Sequence, residues 1–289
     1  MIYYCVKTDE YLRDILDRVV LGAQYYCVID VPLDKAESVI QKFSSRYELD
    51  QTARQRTYKL HKKAQVVVDM IVLLNQSLAK ISKVRLCLLC TLPPSLRDIS
   101  LKMDEYLIEQ YDLSRAEIEQ FKKLDSDRKH RLTYKSINQN PGSKKFSDIE
   151  VYELVQLSYS AEERKQKMVG DGKIQGWTWR LHKNFIALKQ EALTDKFKRL
   201  QRSNSSVELQ DQTISNELDK MWKLAAFRGV RQDIFKFNKL VMPLYPRYFN
   251  RKYTIDLKVP AYKIKAKRLV GSFSEMVQFQ VKNSLKEES

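Results

Sequence analysis

Twelve lysines and arginines fall within residues 227–268, at 228, 231, 236, 239, 247, 251, 252, 258, 263, 265, 267 and 268, against two acids, Asp233 and Asp256. The stretch reads FRGVRQDIFKFNKLVMPLYPRYFNRKYTIDLKVPAYKIKAKR, and its excess of ten positive charges is most of the +16 carried by all 289 residues. Phe235, Phe237, Tyr245, Tyr248, Phe249, Tyr253 and Tyr262 are threaded between the cations. Cations neutralise phosphates, and flat rings stack on bases. A polyanion is the partner this pattern calls for, with nucleic acid first. The residues that carry the expectation are Arg228, Arg231, Lys236, Lys239, Arg247, Tyr248, Arg251, Lys252, Lys263, Lys265, Lys267 and Arg268. A helix through FRGVR places Arg228 and Arg231 on one side, three residues apart. Gly229 between them permits a close backbone approach.

Two smaller groups join the set. DQTARQRTYKLHKK (50–63) holds Arg54, Arg56, Lys59, Lys62 and Lys63 between a helix and a strand, and reads as an exposed basic loop or a merely solvated one. WTWRL (177–181) reads as a strand with Trp177 and Trp179 on one face. Those rings either anchor a core or stack bases beside Arg180, and packing is the commoner fate of large aromatics.

Catalytic constellations are scarce. The three histidines, His61, His130 and His182, are far apart in sequence, and no zinc-protease, deaminase, phosphate-loop or nucleophile-elbow pattern occurs. A metal-dependent nuclease needs converging carboxylates. Asp30, Asp69, Glu150 and Glu153 are the candidates, with Asp69 expected to face solvent from a half-exposed sheet. Cys87 and Cys90 sit three apart in an apolar run, so a strand points them to opposite faces. Neither Cys5 nor Cys27 supplies the second pair of a zinc knuckle, so buried reduced thiols are expected and no cofactor is called for.

The elements that must position these groups follow from periodicity. Apolar residues recur at three and four over 9–21 and over the segment from Asp34 to Leu49, predicting helices. QYYCVIDV (24–31), 65–74 and 83–92 read as strands, the last two as a hairpin. A helix or two is expected over 96–123, then strands at 131–135, 151–159 and 177–181. Helices follow from Lys183, with Ser203 to Ser206 able to cap the second of them. After Pro243 the proline-punctuated chain reads as an extended arm. The fold class is therefore α+β: a mostly antiparallel sheet of five or six strands covered by helices, then a helical basic region and an extended arm. The divisions expected are 1–182, 183–242 and 243–289.

The first residues carry charges without an apolar core, and the longest apolar run is broken by Asp69, so a cytoplasmic protein with no membrane partner is expected. GAQYY (22–26), VPLDKAE (31–37), RYELD (46–50) with QRTY (55–58), WTWRL (177–181) and FRGVR (227–231) resemble, in the same order, motifs of a family of bacterial plasmid and integrative-element proteins. The resemblance covers most of residues 20–235 and leaves out the segment beyond Pro243. It implies a mobile-element setting and DNA-related work, and it carries no catalytic residues. The leading expectation is an accessory protein of replication, transfer or defence that binds nucleic acid, DNA ahead of RNA, alongside other proteins of the element. The alternatives are a metal-dependent nuclease or strand-transfer enzyme, and a subunit that docks on a larger assembly through its C-terminal arm.

Overall fold

The computed structural model describes residues 1–96, 109–124, 128–130, 150–156, 176–260 and 269–287. The chain forms two compact units. The first comprises Met1–Asn138, Val155–Trp177 and Lys267–Ser289, and the second Gln139–Leu154 and Thr178–Ala266.

The first unit is built on a five-stranded sheet. Its elements are β1 (Ile2–Cys5), α1 (Thr8–Val20), β2 (Ala23–Pro32), α2 (Leu33–Tyr47), α3 (Ala53–His61), β3 (Val67–Leu73), α4 (Gln76–Lys80) and β4 (Lys83–Thr91). A short α5 (Arg115–Ile118) and β5 (Lys122–Lys123) follow. Strand order is β1-β3-β4-β2-β5. β3 is buried along its whole length and β4 from Val84 onward, in keeping with their mainly apolar runs, interrupted only by Asp69 and Arg85 among charged residues. They pair antiparallel, from Val67 opposite Thr91 to Leu73 opposite Arg85. That is the expected hairpin, with α4 in its connection and Asn75 accepting from the Leu78 N–H at 2.9 Å. β2 pairs antiparallel with β4 and with β5.

The sheet is mixed, because β1 runs parallel to β3. IYYC was too short a run to announce itself, and its partner lies some seventy residues away. α1 buries Tyr11, Leu12, Ile15 and Val19, and the chain then turns at Gly22, φ 107°, a left-handed value that suits glycine. All four cysteines are buried and none is in a disulfide.

Residues 50–63 are not a loop. Thr52 caps α3 by accepting from the Gln55 N–H, while the Gln55 side chain accepts from the Thr52 N–H at 2.8 Å. This reciprocal capping stabilises a nine-residue helix that buries none of its residues.

The second unit is mainly helical. β6 (Tyr152–Gln156) and β7 (Trp177–Leu181) form a separate two-stranded sheet where the chain passes from one unit to the other. Thus the strands do not all join one sheet of five or six. α6 (Lys183–Arg202), α7 (Val207–Trp222), α8 (Arg228–Val241) and α9 (Leu244–Phe249) follow. Ser206 caps α7 as expected, accepting from the Leu209 N–H at 3.3 Å.

The region past Pro243 is not wholly an extended arm. α9 follows at once, and Phe273–Glu287 forms α10, which belongs to the first unit. At the start of α10 the Glu275 N–H donates to the Ser272 hydroxyl at 3.2 Å, and the Glu275 carboxylate accepts from the Gly271 N–H at 2.6 Å. The strand expected at 131–135 and residues 97–108 of the helix expected over 96–123 lie outside the described residues; in the described remainder α5 is a single turn and Lys122–Lys123 is strand, so no helix runs on to 123.

Candidate nucleic-acid interface

The second unit is organised by its two motifs, which meet each other. WTWRL is β7, and FRGVR is the entry to α8. Gly229 packs its backbone against β7, and a Cβ there would lie 2.5 Å from the Trp179 carbonyl oxygen. Its N–H donates to the Thr178 hydroxyl at 3.2 Å. Trp179 is buried beside Phe227, ring centroids 6.5 Å apart. The close approach expected of Gly229 is therefore made to the protein's own strand, and Trp179 anchors the core rather than stacking bases.

Asp233, one turn further along α8, is 3% exposed. It accepts from two nitrogens on one edge of the Arg180 guanidinium, Nε at 3.2 Å and Nη2, and from the Leu181 N–H at 3.0 Å. These bonds raise the Arg180 pKa above its ordinary value, against the opposing effect of burial. Arg180 is thus a clamp between β7 and α8, its charge matched by Asp233.

Three other expected binders are also held by the chain's own carboxylates. Arg56 donates to Asp69 at 2.6 Å and to the Val68 carbonyl at 2.9 Å. Asp69 is 2% exposed, so the solvent-facing position expected for it is overturned. A buried carboxylate must be matched by a cation. Lys59 bonds Glu48. Arg251 donates to Asp211 at 2.7 Å, and Thr254 donates to the same carboxylate. Burial pushes the Asp211 carboxyl up, but the hydrogen bonds from Arg251 and Thr254 prevail and hold it below the usual range. Tyr248 packs on buried Phe197, centroids 6.0 Å apart, within a cluster that includes Tyr245 and Phe249. Arg231 is half-buried with its Nε enclosed. Lys263, Lys265, Lys267 and Arg268 lie outside the described residues.

What remains makes two surfaces. On α8, Arg228, Gln232, Phe235, Lys236, Lys239 and Leu240 are exposed. Steps of four, three, one, three and one along a helix gather them on one side. The opposite side, Val230, Ile234, Phe237 and Val241, is buried. Asp233 is the helix's one acid, and it points inward to Arg180. The helix itself therefore puts no acid on its outer face, and Lys236 and Lys239 enter no salt bridge among the described residues. Arg247 and Lys252, farther along the same unit, are likewise exposed. In the first unit, α3 and the residues after it present Arg54, Lys62 and Lys63 to solvent beside Tyr58. Arg56 and Lys59 fasten that helix from beneath.

Phe235 is absent from the set assigned from the sequence. Its ring is 51% exposed, with the Lys239 ammonium 4.6 Å from its centroid. The four-residue spacing of Phe235 and Lys239 was the signal that could have found it.

The carboxylates considered for metal binding do not converge. Asp30 is bonded by Arg85 at 2.7 and 2.8 Å, its cross-strand neighbour. Asp69 is bonded by Arg56, and Glu153 lies 3.0 Å from His182 Nε2 in the second unit. Among the described residues no group of three or more His, Cys, Asp or Glu is placed to hold a metal. No helix of the described residues is long and apolar enough to cross a membrane.

Fold and surface together define an α/β sheet unit combined with a helical unit that presents a cationic helix face. No family model, no curated protein and no solved structure matches the chain.

Proposed function

We propose that the protein binds nucleic acid through the outer face of α8, as an accessory factor of a bacterial mobile element. One observation carries the reading: Lys236 and Lys239 are exposed and enter no salt bridge among the described residues, while the helix's one acid, Asp233, is turned inward to Arg180. Exposed lysines on one helix face attract phosphates and release their counterions. The motif resemblance supports DNA ahead of RNA, since it suggests a mobile-element setting. α3, with Arg54, Lys62 and Lys63, offers a second contact surface.

The test is DNA binding followed by fluorescence anisotropy across a salt series. Replacing Lys236 and Lys239 together by Gln should lower the slope of log affinity against log salt by about 1.4–1.8, two phosphate contacts' worth. Lys220→Gln is the control, because Lys220 is exposed but bonded to Glu217 at 2.7 Å. A slope unchanged by the double substitution rejects the α8 face as the contact.

A further inference from the structure

Phe235 is an expensive residue to leave in water on a helix that has a proper core side. Its neighbours Ile234 and Phe237 are buried, at 0% and 2% exposure. The apolar pattern of α8 is already complete without it. The ring is not shielded by another aromatic among the described residues; the group lying over it is the Lys239 ammonium. Lys236 follows directly and Leu240 stands one turn on, both exposed.

An ammonium within reach of the ring and a second cation beside it match the repeat of a nucleic-acid strand, a phosphate alternating with a flat base. In a duplex the bases already stack on one another and offer only their edges in the grooves. A ring held out on a helix face is of use only to a base whose own face is open.

We propose that Phe235 is a stacking platform for an unpaired base, with Lys236 and Lys239 on the flanking phosphates, so that the α8 face selects single-stranded nucleic acid over duplex. This deepens the binding role proposed above and rests on it. The favoured ligand is a pyrimidine-rich strand, flexible enough to present a base to a convex helix surface.

Three fluorescein-labelled probes of equal length test it: oligo(dT), a strand of abasic sites with the same backbone charge, and a duplex. The full chain should bind oligo(dT) at least about fivefold more tightly than the abasic strand, the low end of what one stacked base contributes. Phe235→Ala should remove that difference, and Phe235→Trp should keep it. Lys236→Gln with Lys239→Gln should weaken oligo(dT) and abasic binding alike. Phe235 is exposed, so far-ultraviolet circular dichroism of the variants should match that of the parent. Equal binding of oligo(dT) and the abasic strand overturns the platform but leaves phosphate binding intact. Tighter binding of the duplex than of either strand also overturns it. Binding of none of the three probes overturns the platform and the nucleic-acid reading together.

Discussion

Gly229→Ala is the sharpest probe of how the second unit is held together. The added Cβ would lie 2.5 Å from the Trp179 carbonyl oxygen, 2.6 Å from Arg180 Cγ and 2.9 Å from Thr178 Cγ2. The carbonyl belongs to the backbone of β7 and cannot swing aside. Arg180 cannot easily yield either, because its guanidinium is fastened to Asp233. The helix must back away, stretching the Gly229–Thr178 bond of 3.2 Å and the Asp233–Leu181 bond of 3.0 Å. Overpacking of this kind costs about 1–3 kcal/mol, and one strained hydrogen bond adds about 1 kcal/mol. Against this, alanine gains up to about 1 kcal/mol of helix propensity, and less in a first turn. The net expectation is a loss of about 1–3 kcal/mol. Urea unfolding followed by tryptophan fluorescence and circular dichroism measures it, and the loss should appear in the transition that exposes buried Trp179. Gly271→Ala is the control, since the nearest atom to its Cβ would be Glu275 Oε2 at 3.6 Å. It should change stability by less than about 0.5 kcal/mol. A Gly229→Ala protein as stable as the parent would refute the packing of α8 on β7.

In the first unit, Arg56→Ala leaves Asp69 buried without its guanidinium and should cost about 3–5 kcal/mol, while Arg56→Met with Asp69→Leu should recover most of it; strictly additive losses in a denaturation cycle would contradict the pairing. None of the four cysteines should react with a thiol reagent at pH 8 until the chain is unfolded, because all are buried and burial pushes the Cys27 thiol up to about 11; one thiol titrating in the native protein would contradict this. Hydrogen bonds from the Ser114 backbone N–H and hydroxyl, with help from Arg46, hold the Glu117 carboxyl down at about 2. A depressed carboxyl contributes stability above its unfolded value, and that contribution is lost as pH falls toward the folded one. Stability of the first unit should therefore decline from about pH 4.5 toward pH 2, and Glu117→Gln should flatten the decline in that window, as read by acid titration of the unfolding midpoint.

Local signals were legible in the sequence, and distant pairings were not. The β3–β4 hairpin showed itself through two apolar runs, and α7 through Ser206. The capping pairs Thr52–Gln55 and Ser272–Glu275 carry readable signatures, but dense charge in one case and nearby proline in the other suggested irregular chain instead. β1 escaped because a four-residue strand draws its stability from a partner far along the chain. The basic residues show the same limit. Counting charges along the sequence treats Arg180 and Lys239 alike. Only the fold brings Asp233 to Arg180 across 53 residues, and Asp211 to Arg251 across 40. Each pairing matches a cation within the fold, so the exposed cationic surface is narrower than composition implies. Phe235 and Phe237 show the converse: two rings alike along the sequence, of which the helix buries Phe237 and turns Phe235 outward.

The last helix has a consequence for how the chain is made. Met276 of α10 is fully buried, and the Gln280 side-chain amide donates to the carbonyls of Val6, at 3.2 Å, and Leu74, at 2.6 Å. Those carbonyls lie just past the ends of β1 and β3. Gln280 comes 206 residues after Leu74. At a synthesis rate of about 5–20 residues per second, it emerges from the ribosome roughly 10–40 s later. Throughout that interval the opening sheet waits for its closing helix, while the helical unit between them is produced and can fold first. A nascent chain arrested before residue 270 would therefore carry an unfinished first unit, open to proteases and chaperones at the strand ends that α10 covers.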